Sequence, residues 1–339
     1  MESKAGKSGG FLTCFKSFPS FCHCDLMDSD SEQNEFRSDF LGRCVVLTPR
    51  RSSRPHDFAP QMPQKKTDPT TCYFCPGNEK MCPPEIERVE KNGKWHVRVF
   101  PNKFPAFSKT SLQAYGTHEV VVETPDHSKT LSQIPQQQMA DYLNMVAKRL
   151  RAHSRDKKIK YTAIFKNEWL DAGASLEHTH TQLVAMDSVP AIIKKQEKMA
   201  KSSCPFCTIS IDDKYPKIDN GGPFVLLAPY APRFNNEVWI VPRAHTASII
   251  DLDETAISDL AALLLRALQV QDAELNYPAY NILWHVAPHR SKNFHFHIEI
   301  CPRQAKWAGF EYGTEIVMNS VKPEWTAEQY RERLRGMQK

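Results

Sequence analysis

No stretch of the 339 residues approaches the roughly 20 consecutive apolar residues that a membrane-spanning helix needs, so no membrane is expected among the partners. Neither sign of charge is in large excess: the formal net charge is +5, spread along the chain. The concentrated basic footprint of a nucleic-acid binder is therefore missing, which leaves mononucleotides and sugar phosphates as the charged partners to expect. A secretion signal is lacking too. The early apolar stretch from Phe11 to Phe15 is broken by Lys16, and no small-residue cleavage pattern follows it. Without an oxidising compartment, the ten cysteines read as reduced thiols or metal ligands in a cytoplasmic protein rather than as a disulfide framework.

What the chain does have is a pattern that occurs twice. Cys72-Tyr73-Phe74-Cys75 is followed downstream by His178-Thr179-His180, and Cys204-Pro205-Phe206-Cys207 by His295-Phe296-His297. The elements between them repeat in order. Strand patterns at Trp95–Phe100, Thr117–Glu123 and Tyr161–Phe165 have counterparts at Phe224–Ala228, Val238–His245 and Tyr280–His285. Apolar residues recur at helical spacing within Leu131–Ala152 and again within Glu254–Ala273. Residues 1–35 read as a disordered extension. The folded part then divides at 36–190 and 191–339 into two α+β units of one design, their antiparallel sheets joined side by side.

Each unit supplies two thiols from a C-x-x-C turn and two histidines, the Cys2His2 set that a tetrahedral zinc ion takes. The expected ligands are Cys72, Cys75, His127 and His178 in the first unit, and Cys204, Cys207, His245 and His295 in the second. On a strand, residues two apart share a face, so His178, His180 and Gln182 project together. With His178 spent on metal, His180 is held rigidly two residues on, and a neutral imidazole both attacks phosphorus well and leaves well. The preceding Gly173-Ala174-Ser175 turn offers backbone N–H groups and a hydroxyl to phosphate oxygens, and Gln182 a further donor. A covalent nucleotidyl-histidine is the chemistry this arrangement suits. The bland reading, a zinc-stabilised nucleotide-binding or interaction module without catalysis, requires His180 to be incidental.

Phe165-Lys166-Asn167, Gly173-Ala174-Ser175, His178-Thr179-His180-Thr181-Gln182, Pro125-Asp126-His127-Ser128-Lys129, Arg51-Ser52-Ser53-Arg54-Pro55 and Gly309-Phe310-Glu311 together resemble the galactose-1-phosphate uridylyltransferase family. This is the transferase branch of the histidine-triad superfamily, in which glutamine stands where hydrolases carry a third histidine. The likeness covers nearly everything from Phe36 onward. It implies two tandem histidine-triad-like repeats, a homodimer, and ping-pong transfer of UMP from UDP-glucose to a hexose 1-phosphate in galactose metabolism. ADP-glucose phosphorylases, which pass an adenylyl group from histidine to phosphate, are resembled as well. By this resemblance His180 is the nucleophile, and Gln182 and Ser175 are phosphate ligands. Asn167, Arg51, Arg54 and Asn102 contact nucleotide and phosphate, while Lys306, Phe310 and Glu311 reach the sugar phosphate from the partner subunit. Thr179 replaces the family's usual proline between the histidines. His297, the counterpart of His180, lacks the Gly-Ala-Ser turn and is expected to be structural or a further metal contact.

Overall fold

A computed structural model describes residues 33–53 and 68–337. The chain opens with β1 (Glu35–Ser38) and β2 (Cys44–Leu47), which form a small sheet with the late strand β13 (Ile316–Asn319). The first half then supplies β3 (Glu87–Lys91), β4 (Lys94–Pro101), β5 (Gly116–Val122), β6 (Tyr161–Glu168) and β7 (His180–Met186). The second supplies β8 (Lys217–Gly221), β9 (Phe224–Leu227), β10 (Val238–Pro242), β11 (Tyr280–His285) and β12 (His297–Pro302). These ten strands form one antiparallel sheet in the order β3-β4-β5-β7-β6-β11-β12-β10-β9-β8. Followed inward from either edge, the strands are met in the same sequence-relative order. The halves join at the centre, where β6 pairs with β11 and Asn281 stands opposite Asn167.

Alternation along the strands separates two faces. Val97, Val99, Val121, Leu183, Ile282, Ile298 and Ile300 share one continuous core with α1 (Gln136–Ser154) and α3 (Glu254–Leu275), the two long amphipathic helices. Tyr330 and Leu334 of α5 (Pro323–Met337) join the same core. The other face carries two smaller cores. Cys72, Phe74, Cys75, Trp95, Phe100, Val120 and Val122 make one. Phe206, Val225, Leu227, Trp239 and Val241, with half-buried Cys204, make the other. Each C-x-x-C turn is thus pinned by its own aromatic residue, Phe74 or Phe206.

Proline sets several boundaries that periodicity places differently. The first long helix begins at Gln136 rather than near Leu131, because Pro135 disfavours helical geometry at Ile134; Leu131–Gln133 form a separate 3-10 turn. β10 stops at Pro242, which cannot donate to the ladder, so His245 lies in the following loop rather than on the strand. β7 and β12 begin at His180 and His297, so His178 and His295 sit just ahead of their strands. Helices α2 (Ala191–Ser202) and α4 (Gly309–Thr314) complete the fold. Among the described residues no helix is long and apolar enough to cross a membrane. At Gly116 a Cβ would stand 1.9 Å from the carbonyl oxygen of Ala185, so only glycine allows β5 to approach β7 there.

Ile282 is fully buried at the central joint. Ile282→Ala is expected to cost about 2–5 kcal/mol in urea denaturation; a loss below about 1 kcal/mol would show that the joint does not bind the halves together.

Candidate active site

The first Cys/His set converges. His178 donates its Nε2–H to the carbonyl of Thr124 at 2.7 Å, which turns Nδ1 toward Cys72 Sγ at 3.6 Å and Cys75 Sγ at 3.5 Å. His127 Nδ1 lies 3.2 Å from Cys75 Sγ and 3.4 Å from His178 Nδ1. The second set repeats this geometry. His295 Nε2–H donates to the carbonyl of Pro242 at 2.8 Å, and its Nδ1 faces Cys204 and Cys207 at 3.4 and 3.5 Å. His245 Nδ1 stands 3.3 Å from Cys207 Sγ. All eight residues predicted as ligands fall into these two groups, each of a composition that could hold a metal ion. None of the described cysteines is in a disulfide.

His180 begins β7 beside the first set. Its Nδ1–H donates to the carbonyl of His178 at 2.8 Å, which fixes the tautomer and leaves the Nε2 lone pair to react. Burial, and then the charge of Lys166, hold its pKa below the ordinary imidazole value, so the ring is neutral. The Phe74 ring meets it edge-on, centroids 5.2 Å apart. Beneath the strand lies a charged cluster that sequence reasoning missed. Lys166 Nζ, fully buried, reaches Glu123 at 2.9 Å, Glu168 at 3.0 Å, Thr179 Oγ1 at 2.6 Å and the carbonyl of His180 at 3.2 Å. Thr179 and Thr181 in turn donate to Glu123 at 2.6 and 2.5 Å.

A cavity of about 290 Å³ opens in front of His180, lined among others by Tyr73, Phe100, Asn102, Ser175, Leu176 and Gln182. Gln182 Oε1 lies 2.8 Å from His118 Nε2. Asn167 stands on the neighbouring strand and is not among the cavity's lining residues; its Oδ1 accepts from Asn281 Nδ2 at 2.9 Å across the β6–β11 register. Two expected donors of the glycine turn are spent internally. Gly173, at φ 88°, gives its N–H to Leu170, and Ala174 gives its own to Trp169, at 2.8 and 3.1 Å. The turn closes on itself, and the Ser175 side remains for the cavity.

The other expected contacts are farther off within this chain. Arg51 sits on the 3-10 turn after β2 and is not among the cavity's lining residues. Arg54 lies outside the described residues. Lys306 is 87% exposed and 3.7 Å from Asp171. Glu311 accepts from the Ala308 N–H at the start of α4, and Phe310 is partly exposed beside it. His297, the counterpart of His180, is fully buried between the Phe206 and His285 rings, each with its centroid 4.2 Å away. Neither His118 nor Asn281 announces itself in sequence, since each meets the expected site residues only by a hydrogen bond to a cross-strand neighbour.

Lys166→Met would leave Glu123 and Glu168 buried together without their cation. The expected cost is about 3–5 kcal/mol in chemical denaturation near neutral pH. A variant as stable as the parent would mean the cluster does not hold β7.

The sequence profile described as galactose-1-phosphate uridyl transferase, N-terminal domain, matches residues 23–190. A domain of unknown function, DUF4921, matches 116–339. ADP-glucose phosphorylase of Arabidopsis thaliana is 33% identical over 334 residues, covering 90% of this chain and 95% of the relative. Galactose-1-phosphate uridylyltransferase of Thermotoga maritima is 28% identical, covering 74% and 89%. The crystal structure of the Arabidopsis ADP-glucose phosphorylase with bound ADP-glucose superposes with a TM-score of 0.79 at 32% identity, covering 88% of this chain and 99% of that one. With likeness of this extent in sequence and fold, the chain belongs to the galactose-1-phosphate uridylyltransferase family of nucleotidyltransferases, ADP-glucose phosphorylase-like members included.

Proposed function

We propose that this enzyme transfers a nucleotidyl group from a nucleoside-diphosphate sugar through a covalent nucleotidyl-His180. The observation that carries the reading is the hydrogen bond from His180 Nδ1–H to the His178 carbonyl, which aims a neutral Nε2 lone pair at the cavity. Nε2 attacks the α-phosphorus, the bond from phosphorus to the bridging oxygen breaks, and hexose 1-phosphate departs with that electron pair. A phosphate oxygen of the acceptor then attacks the phosphoramidate, and the histidine leaves neutral. The amide groups of Gln182 and Asn167 and the Ser175 hydroxyl are the donors for the non-bridging oxygens as charge develops.

The relatives support two readings of the donor base. The full-length likeness to ADP-glucose phosphorylase favours adenylyl transfer from ADP-glucose to phosphate. The likeness to uridylyltransferases supports the second reading, uridylyl transfer from UDP-glucose to a hexose 1-phosphate.

Both Cys/His sets are proposed to hold zinc. Ligand bonds of about 2.3 Å to sulfur and 2.0–2.1 Å to nitrogen imply tetrahedral edges of about 3.6 Å for S···N and 3.4 Å for N···N. The spacings in the two sets, 3.2 to 3.6 Å, match those edges. Zinc there would tie a C-x-x-C turn to the strand ahead of it and serve structure, not the transfer step. Two tandem histidine-triad-like repeats, supported by the repeated strand order, account for the two sites. In a homodimer, exposed Lys306 and Phe310 and half-buried Glu311 would serve the partner subunit's cavity.

Incubation with ADP-glucose or UDP-glucose labelled at the α-phosphate is expected to leave acid-labile label on the parent and none on His180→Ala. Atomic absorption on the same preparations is expected to give close to two zinc ions per chain for both. Full labelling of His180→Ala would overturn the nucleophile assignment, and folded protein without metal would overturn the zinc assignment.

A further inference from the structure

The imidazole of His118, on β5, has no part in the chemistry described so far, yet it touches the cavity's key amide. The backbone N–H of Ala106 points at its Nδ1 at 3.3 Å. A neutral imidazole has one acceptor nitrogen, so that N–H makes Nδ1 the acceptor and places the proton on Nε2. Burial lowers the His118 pKa, which keeps the ring in this neutral form. Nε2–H then donates to Gln182 Oε1 at 2.8 Å. Asn102 Nδ2, 3.3 Å from the same nitrogen, is a donor facing a donor, because Asn102 Oδ1 is already held by the Phe104 N–H at 2.8 Å.

The consequence falls on Gln182. An amide can be flipped by half a turn at little intrinsic cost, and the two orientations present opposite charge to the cavity. With Oε1 committed to His118, the NH2 group faces the phosphate site; flipped, the carbonyl oxygen would repel the non-bridging oxygens. Asn167 shows the same arrangement independently, its oxygen held by Asn281.

We propose that His118 is a positioning residue that fixes the side-chain amide of Gln182 with its N–H donors toward the transferring phosphoryl group. The strand geometry permits it: Val120 is the Cα partner of Gln182, so His118 is its diagonal neighbour on the same face. The assignment rests on the nucleotidyl-transfer reading above and adds to it a residue that never touches substrate.

Two replacements separate this role from simple support of the Ala106 loop. His118→Gln carries an N–H donor near the position of Nε2, whereas His118→Asn keeps an acceptor near Nδ1 and withdraws the donor. Single-turnover labelling with the better of the two α-labelled sugar nucleotides is the readout, alongside melting temperature. His118→Gln is expected to label within a few-fold of the parent. His118→Asn is expected to label about 10- to 100-fold more slowly at saturating donor, with half-saturation little changed. In a Gln182→Ala background, His118→Asn should slow labelling no further. Parent-like labelling by His118→Asn, the reverse order of the two variants, or additive effects in the double variant would overturn the proposal while leaving nucleotidyl transfer intact. If His118→Asn fails to fold, His118→Ala, which also withdraws the donor, takes its place in the comparison with and without Gln182→Ala. A parent that takes no label from either sugar nucleotide would remove the underlying reading and this inference with it.

Discussion

The structure turns on two consecutive histidine-to-carbonyl hydrogen bonds. His178 donates to Thr124 and so aims its other nitrogen at the thiols of the Cys/His set; His180 donates to His178 and so aims its other nitrogen at the cavity. Each bond alone contributes only about 1 kcal/mol to stability. Their larger effect is on chemistry, because a ring nitrogen that donates to a carbonyl cannot be the reactive one. The Cys/His set and the proposed nucleophile are thereby coupled: whatever fixes His178 fixes the acceptor that orients His180.

Below β7, the cluster of Lys166, Glu123 and Glu168 supports this arrangement from the helix-facing side. Buried ion pairs seldom add much net stability, since desolvation offsets the attraction, but a buried charge stripped of its partner is severely destabilising. The cluster is thus better understood as fixing one conformation of the strand. Lys166 reaches the His180 carbonyl itself. With the aromatic wall at Phe74, His180 is restrained by its own strand, by the cluster below and by the C-x-x-C turn beside it.

The two halves differ at corresponding positions. His297 makes the same donation to the carbonyl two residues back, at 3.0 Å, yet it is enclosed by Phe206 and His285. Its neighbour Glu299 is bound by Arg43 and Arg233 at 2.8 and 2.6 Å. That filled pocket has traded access for packing. The second half contributes to the first through Asn281 instead, which the joint between β6 and β11 delivers to Asn167.

The Cys/His sets, both long helices and most central strands were legible in the sequence, because metal-ligand spacing and amphipathic period are local properties. Edge strands such as β3, with its Glu-Arg-Val-Glu-Lys pattern, carry too little apolar residue to be read, and α2 buries only Ile193 and Gln196. The internal bonding of the Gly173 turn, and the roles of Lys166, His118 and Asn281, depend on a register between strands far apart in the chain, which no local pattern encodes. The most direct measurement of the central claim is the site of attachment in the trapped intermediate, read by phosphorus and nitrogen NMR on the nucleotidylated protein. The account predicts a phosphoramidate at Nε2 of His180; attachment at Nδ1, or on His297 or any other residue, would contradict it.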